Sequence, residues 1–383
     1  MNSEIQTLNG YSGAAMNAIA WGTTLQPAVC EACDWRYLLP QNSLPRQCPH
    51  CRQAELTPLE NMTADRRPPT AVNAFPSPPE LLIPFQVSSE KLARAVSDFA
   101  NGIPFAPADL KAANLQSRLQ RVYLPMWLLD SAVQATWQAE TGFDYDVVSH
   151  QERYDQNSRE WLSEKTTETR IRWEPRLGRL IRAYHNIPLP ALEAHPALEQ
   201  RLGAYSLDDA EPYAPDAIAE SLLRLPDLSP NDAWPEALPA LQNAASDECR
   251  RAAKAEYIRE FRWRADYQDQ NWTQLLLPVY ATYYLDDQDT PQPILIHGQT
   301  GRPGGARRAS MKRAQRLSLL IGGLAIIFFL GALFAAAASY FEEALFAFGV
   351  LGLALAFITA LLALTPIVIV WQFNQRQKER DLS

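Results

Sequence analysis

An α+β fold closed by a C-terminal helical hairpin is what this sequence predicts, and three observations predict it. Two uncharged runs, Leu317 to Tyr340 and Ala344 to Phe373, stand near the C-terminus with only Phe341, Glu342 and Glu343 between them. Upstream of Gly301, stretches with apolar residues at helical spacing give way to stretches that alternate apolar and polar, the period of a half-buried antiparallel strand. Near the N-terminus two C-x-x-C pairs, Cys30 with Cys33 and Cys48 with Cys51, are separated by 14 residues. The expected order is a weakly structured N-terminus (1–25), a cysteine ribbon (26–58), a proline-rich linker (59–84), an α+β domain (85–301), a basic segment (302–316), the hairpin (317–373) and a tail (374–383).

The N-terminal stretch carries no chemistry, although AAMNAIA is compatible with a short helix. The cysteines do. A C-x-x-C turn offers two thiolates from one knuckle, and two knuckles close a tetrahedral site, so Cys30, Cys33, Cys48 and Cys51 are expected to hold one structural zinc ion. With four protein ligands the metal keeps no open position for catalysis. His50 lies between the ligands of the second knuckle and is expected to face solvent or touch sulfur, while Trp35 and Tyr37 supply a minimal core. So small a ribbon buries too little apolar surface to fold alone, which leaves the metal to fold it. Many ribbons bind nucleic acid, but residues 1–60 hold three arginines against five acidic residues and lack a basic stripe. Protein contact is the favoured reading.

Within the α+β domain, Leu92, Ala95, Val96 and Phe99 share a helical face that Ser88 or Ser89 can cap and Asn101-Gly102 can end. A second helix is expected from near Pro107. RVYLPMWLLD then reads as a strand, Asp130-Ser131 as a turn, and Val133, Ala135, Trp137 and Ala139 as the buried face of the next strand. Further strands are expected at residues 167–174 and 179–187. Residues 188–243 are broken by proline and read as irregular with short helices. Cys249, Ala253, Tyr257 and Phe261 suggest another helix, with Cys249 a small core residue, before LLLPVYATYYLDD, whose Leu-Pro-x-aromatic core echoes the earlier strand and hints at an internal duplication. Ile294 to His297 form a strand and Gly298 to Gly301 a turn. The glycine-rich stretch that follows lacks the G-x-x-x-x-G-K-[ST] of a phosphate cradle and reads as a turn and juxtamembrane segment.

Each apolar run exceeds the roughly 20 residues that span a bilayer core as a helix. Six basic residues and no acidic one lie between Arg302 and Arg316, and Arg376, Lys378 and Arg380 follow the second run, so the positive-inside rule places both ends in the cytoplasm of an inner-membrane protein. Small residues recur in both runs and permit close helix approach, and Pro366 is expected to kink the second helix. Glu4, with no Lys or Arg before Arg36, argues against a cleaved secretory signal. Residues 1–301 carry 26 basic and 39 acidic side chains, a formal charge of −13. Such a head is repelled by phosphate backbones, and only the basic segment before the hairpin attracts lipid headgroups.

The double C-x-x-C, the Leu-Pro-x-Trp strand, the later Leu-Leu-Pro-Val strand, the Gly-Gln-Thr-Gly turn and the terminal hairpin together resemble a group of bacterial zinc-ribbon membrane proteins of unassigned function, some labelled after the zinc region of primosomal helicases. The resemblance covers nearly the whole chain, but no Walker lysine or basic channel accompanies it. The expected function is that of a membrane-tethered adaptor: a bilayer-anchored head that binds a protein partner, either a membrane complex or a second copy. The alternatives are a nucleic-acid-binding regulator held at the membrane and, third, an enzyme. Candidates for the last, His150, His185, Asp144, Asp146, Asp286, Asp287 and Asp289, sit at strand ends and turns in no spacing that assembles a nucleophile, a base and an orienting group. No catalytic residue is therefore assigned.

Overall fold

The computed structural model describes residues 21–41, 43–44, 46–59, 77–155, 160–338 and 344–382. The AAMNAIA segment, most of the proline-rich linker and the hairpin tip with Glu342 and Glu343 lie outside the described residues. The chain forms two units, one comprising Met1–Leu124, Pro196–Leu225 and Leu276–Ser383, the other Pro125–His195 and Pro226–Leu275.

In the first unit the cysteine ribbon is built into a larger sheet. Strands β1 (Leu25–Cys30), β2 (Arg36–Pro40) and β3 (Leu56–Pro58) pair antiparallel, and β2 continues onto β8 (Leu222–Arg224). The short β4 (Leu81–Leu82) pairs with β7 (Glu211–Pro212). The first residues of β5 (Gln120–Asp155) run parallel to β8, and the last of β9 (Tyr257–Leu285) pair with β10 (Pro291–His297), which pairs with β11 (Pro303–Gly305). Helix α1 (Ser89–Asn101) starts where the sequence predicts, with the Ser88 hydroxyl accepting the Lys91 N–H, and buries Leu92, Val96 and Phe99. The second helix, α2 (Ala112–Ser117), begins later than expected.

The hairpin helices α6 (Met311–Ala338) and α7 (Ala344–Leu382) extend beyond their apolar runs, into this core. Ala314 and Val370 are buried in one cluster with Val87, Phe99, Tyr284 and Ile296. The Asn374 side chain donates to the Ala309 carbonyl (3.1 Å) and accepts its N–H (2.9 Å). Asp287 accepts the Ser310 hydroxyl (2.6 Å) and the Lys312 N–H (2.9 Å). A Cβ on Gly352 would stand 2.8 Å from that of Ala332, which is the close helix approach that the small residues permit. Pro366 leaves the Leu362 carbonyl without its helical N–H, and the Thr365 hydroxyl donates to that carbonyl instead (2.6 Å).

The second unit is a sheet with one long helix. The turn expected at Asp130-Ser131 is absent: β5 runs through it, paired with the equally continuous β6 (Glu160–Pro190). What sits there is a bulge. Residues 185 and 186 face the single residue 130, Asn186 adopts φ +54°, and its N–H donates to the Asp130 carboxylate (2.8 Å). The expected alternation survives, with Val133, Ala135 and Ala139 buried. The strands expected at 167–174 and 179–187 are both stretches of β6.

Short helices do occur in the stretch read as irregular, α3 (His195–Leu202) and α4 (Pro215–Ile218), but so does α5 (Pro230–Ala252), 23 residues long with Pro235 and Pro239 inside it. Both prolines are on the solvent face, where water can satisfy the carbonyls they free. Ala233, Ala237, Leu241, Ala245 and Cys249 form the buried stripe, and Ser229 with Asp232 closes a capping box. The helix expected to continue through Tyr257 and Phe261 ends at Ala252. Both residues belong to β9, because a spacing of four satisfies a period of two as well as one of 3.6.

Candidate metal centre

The two knuckles are copies of one local structure. Four residues after the first cysteine of each pair, Asp34 and Arg52 adopt positive φ (+56° and +58°) and return their N–H to the carbonyls of Cys30 (2.9 Å) and Cys48 (3.2 Å). The turns are held from outside by Cys30 N–H to the Trp35 carbonyl and Cys48 N–H to the Ala54 carbonyl, both 3.0 Å. Pairing of β1 with β2 and with β3 then brings the knuckles face to face.

The result is a four-sulfur cluster. Cys30 and Cys51 Sγ are 3.4 Å apart, Cys33 and Cys48 Sγ 3.7 Å, and all four sulfurs lie within 4.8 Å of one another. Four sulfurs placed tetrahedrally at about 2.3 Å from an ion would be about 3.8 Å apart, so the cluster is close to the size a metal needs. A hydrogen bond from Cys33 lowers the Cys48 thiol to about 4 against the opposing effect of burial, and the backbone N–H groups of Cys51 and His50 lower it further. Those donors favour a thiolate, the form that binds metal, at Cys48, whereas burial raises the Cys30 thiol to about 11 and the hydrogen bond to Cys48 raises that of Cys33.

Around the sulfurs the charges are opposite. Arg52 is 2% exposed, its Nε and Nη2 have no hydrogen-bond partner among the described residues, and its guanidinium lies 5.2 Å from the Tyr283 ring centre. An unpaired buried cation costs several kcal/mol, roughly, unless an anion faces it. Four thiolates around a divalent ion would carry two negative charges and would serve as that anion. Arg224, also 2% exposed, sits 4.6 Å from the Trp35 ring centre and donates to the carbonyls of Arg36 (3.1 Å) and Leu225 (2.7 Å). Tyr37 is fully buried, its hydroxyl 3.9 Å from Cys48 Sγ. His50 stacks on Trp35 with ring centres 3.7 Å apart.

All four predicted ligands are therefore brought together. Arg52 and Arg224 are functional neighbours that the sequence reading passed over; a charged residue directly after C-x-x-C was the available signal for the first, and Arg224, 188 positions from the Arg36 it contacts, had none. The candidate acid–base groups are engaged in local structure instead. Asp144 accepts the Tyr257 hydroxyl (3.4 Å), Asp146 the Thr169 hydroxyl (2.9 Å), and Asp286 the N–H groups of Gln288 and Thr290. Asp287 caps α6, the Asp289 N–H donates to the Asp286 carbonyl (3.1 Å), and His185 stands 3.7 Å from Asp130. His150 is on β5 in the second unit, Asp286, Asp287 and Asp289 in the first.

Compared with models of known protein families, with curated proteins and with solved structures, the chain matches none.

Proposed function

We propose that this protein is a membrane-anchored adaptor. Its acidic head, stapled by one zinc ion, is held at the cytoplasmic face of the inner membrane by the α6–α7 hairpin and binds a protein partner there. The observation that carries this reading is the sheet face of the second unit opposite the buried stripe of β5 and β6. Leu177 and Ile181 on β6 are 85% and 75% exposed. Arg179 stands between them, and Arg262 and Arg264 of β9 help line a cleft of about 590 Å³ beside Thr136 and Gln138. Large apolar side chains interleaved with arginine suit burial against another protein, whose own rim should be acidic.

The rest of the reading has separate supports. Two C-x-x-C knuckles closing a four-thiolate site are the usual spacing of a structural zinc ion, which is the reason zinc is preferred to iron. Orientation rests on the basic residues flanking both helices. The echoing Leu-Pro-aromatic segments lie on adjacent strands, β5 and β9, which supports an internal duplication of the head. The likeness to bacterial zinc-ribbon membrane proteins is carried with these points as part of the proposal, and no catalytic role is assigned.

The test is a photo-crosslinking amino acid in place of Leu177 in intact cells. The expected result is a single adduct of defined mass that Ile181→Glu abolishes; its mass tells a second copy from another protein. No adduct, or one that Ile181→Glu leaves unchanged, overturns the adaptor reading.

A further inference from the structure

Where the hairpin enters the head, a cavity of about 230 Å³ opens beside Asn374, with Arg307, Arg308 and Lys378 in its lining. Its two acidic residues are already engaged: Asp286 accepts two backbone N–H groups and the Gln292 amide (2.8 Å), and Asp287 caps α6. The three cations form no ion pair among the described residues, and the Arg307 guanidinium is anchored 5.0 Å from the Phe99 ring centre. Three cations against two carboxylates leave the lining with a net positive charge, which favours an anion of modest size.

Its height along the hairpin says which anion. The apolar run of α6 begins at Leu317, about 9 Å along the helix from Met311, which lines the cavity. That distance puts the cavity at the level of the lipid headgroups.

A second opening lies deeper, an apolar groove of about 530 Å³ between the two helices. Its residues Gly322 and Phe329 follow Met311 by 11 and 18 positions, and Ala363 and Ala356 precede Asn374 by the same intervals. At about 3.6 residues per turn those intervals are close to three and five whole turns, so cavity and groove open on one face of each helix, starting about 16 Å apart. Gly322 lines the groove without a side chain, and no atom lies within 4 Å of where its Cβ would be.

We propose that cavity and groove form a single site for one anionic phospholipid, its phosphate against Arg307, Arg308 and Lys378 and an acyl chain in the groove past Gly322. The site rests on the reading that α6 and α7 cross a membrane. A lipid so placed would cement the head to the hairpin and make its seating depend on the negative charge of the leaflet.

The experiment uses the full chain, purified in mild detergent and exchanged into nanodiscs of phosphatidylcholine with a minor fraction of phosphatidylglycerol. Lipid retained per chain is read by native mass spectrometry. One phosphatidylglycerol should be retained in preference to phosphatidylcholine, and Arg308→Gln with Lys378→Gln should cut that retention at least tenfold. Gly322→Phe, which fills the groove and leaves the charges, should also cut it. Inorganic phosphate at millimolar concentration should not compete; competition at that level would assign the cavity to free phosphate and overturn the lipid site. Equal retention in wild type and variants overturns it too. Carbonate-washed membranes separate the two readings: protein absent from the pellet defeats the membrane reading, whereas protein present with no retained lipid defeats the lipid site alone.

Discussion

Arg52 is a buried cation facing the four-sulfur cluster. Its guanidinium is buried beside Cys48 and Cys51, and burial, opposed chiefly by the Cys48 charge, lowers it to about 10. Replacing it with methionine keeps much of its bulk and removes the charge that faces the thiolates. Competition against a chromophoric chelator should show metal affinity falling about 10–100-fold in Arg52→Met and less in Arg52→Lys; equal affinities would remove Arg52 from the metal's surroundings. His297 tests the head differently. It is buried, its Nδ1 accepts the N–H groups of Gln299 (3.1 Å) and Thr300 (3.3 Å), and Nε2 lies 3.3 Å from the Ala204 carbonyl. Burial lowers its pKa, so as the pH falls below about 6.5 the unfolded chain takes up this proton before the folded one does. The stability tied to neutral His297 is complete above that pH and is lost as acidity increases. Melting curves from pH 7 to pH 5 should therefore fall more steeply for wild type than for His297→Asn, and parallel slopes would contradict this.

At the scale of elements, what was legible depended on how local the deciding physics is. The clustering of the four cysteines follows from spacing, α1 from its cap and stripe, and the turn at residues 298–301 from its glycines, of which Gly301 adopts φ +77°. Three features resisted. Asp130-Ser131 resembles a turn but serves a bulge closed by Asn186, a partner 56 positions away. The stripe from Cys249 to Phe261 fits helix and strand alike. The prolines of α5 suggest breakage, yet their placement on the wet face lowers the cost of both. The helix survives through its buried stripe and capping box rather than through propensity. Pro235→Ala should accordingly restore a backbone hydrogen bond and stabilise the second unit by roughly 1–3 kcal/mol, read as a raised melting temperature. No gain would mean that the helix is already unwound at its first turns.

For the whole molecule the hairpin, whose two helices are long and apolar enough to cross a membrane, is also part of a folding unit. Val370 and Ala314 lie in the same buried cluster as Phe99 and Tyr284, and β11 begins only at Pro303. Cutting the chain after Gly301 would remove a strand and part of that core along with the membrane segment. The fragment should be less stable than the full chain and expose apolar surface to a hydrophobic dye, whereas a fragment melting like the full protein would show that the hairpin is only a tether. The ribbon is integrated in the same way, with β2 paired to β8, so loss of the metal should loosen the first unit beyond its knuckles. The most direct measurement is the metal content of the full chain purified from membranes, set beside Cys33→Ser/Cys48→Ser. About one zinc per chain in the wild type and none in the variant is the predicted result; a wild type without stoichiometric metal, or a variant that holds as much, would contradict it.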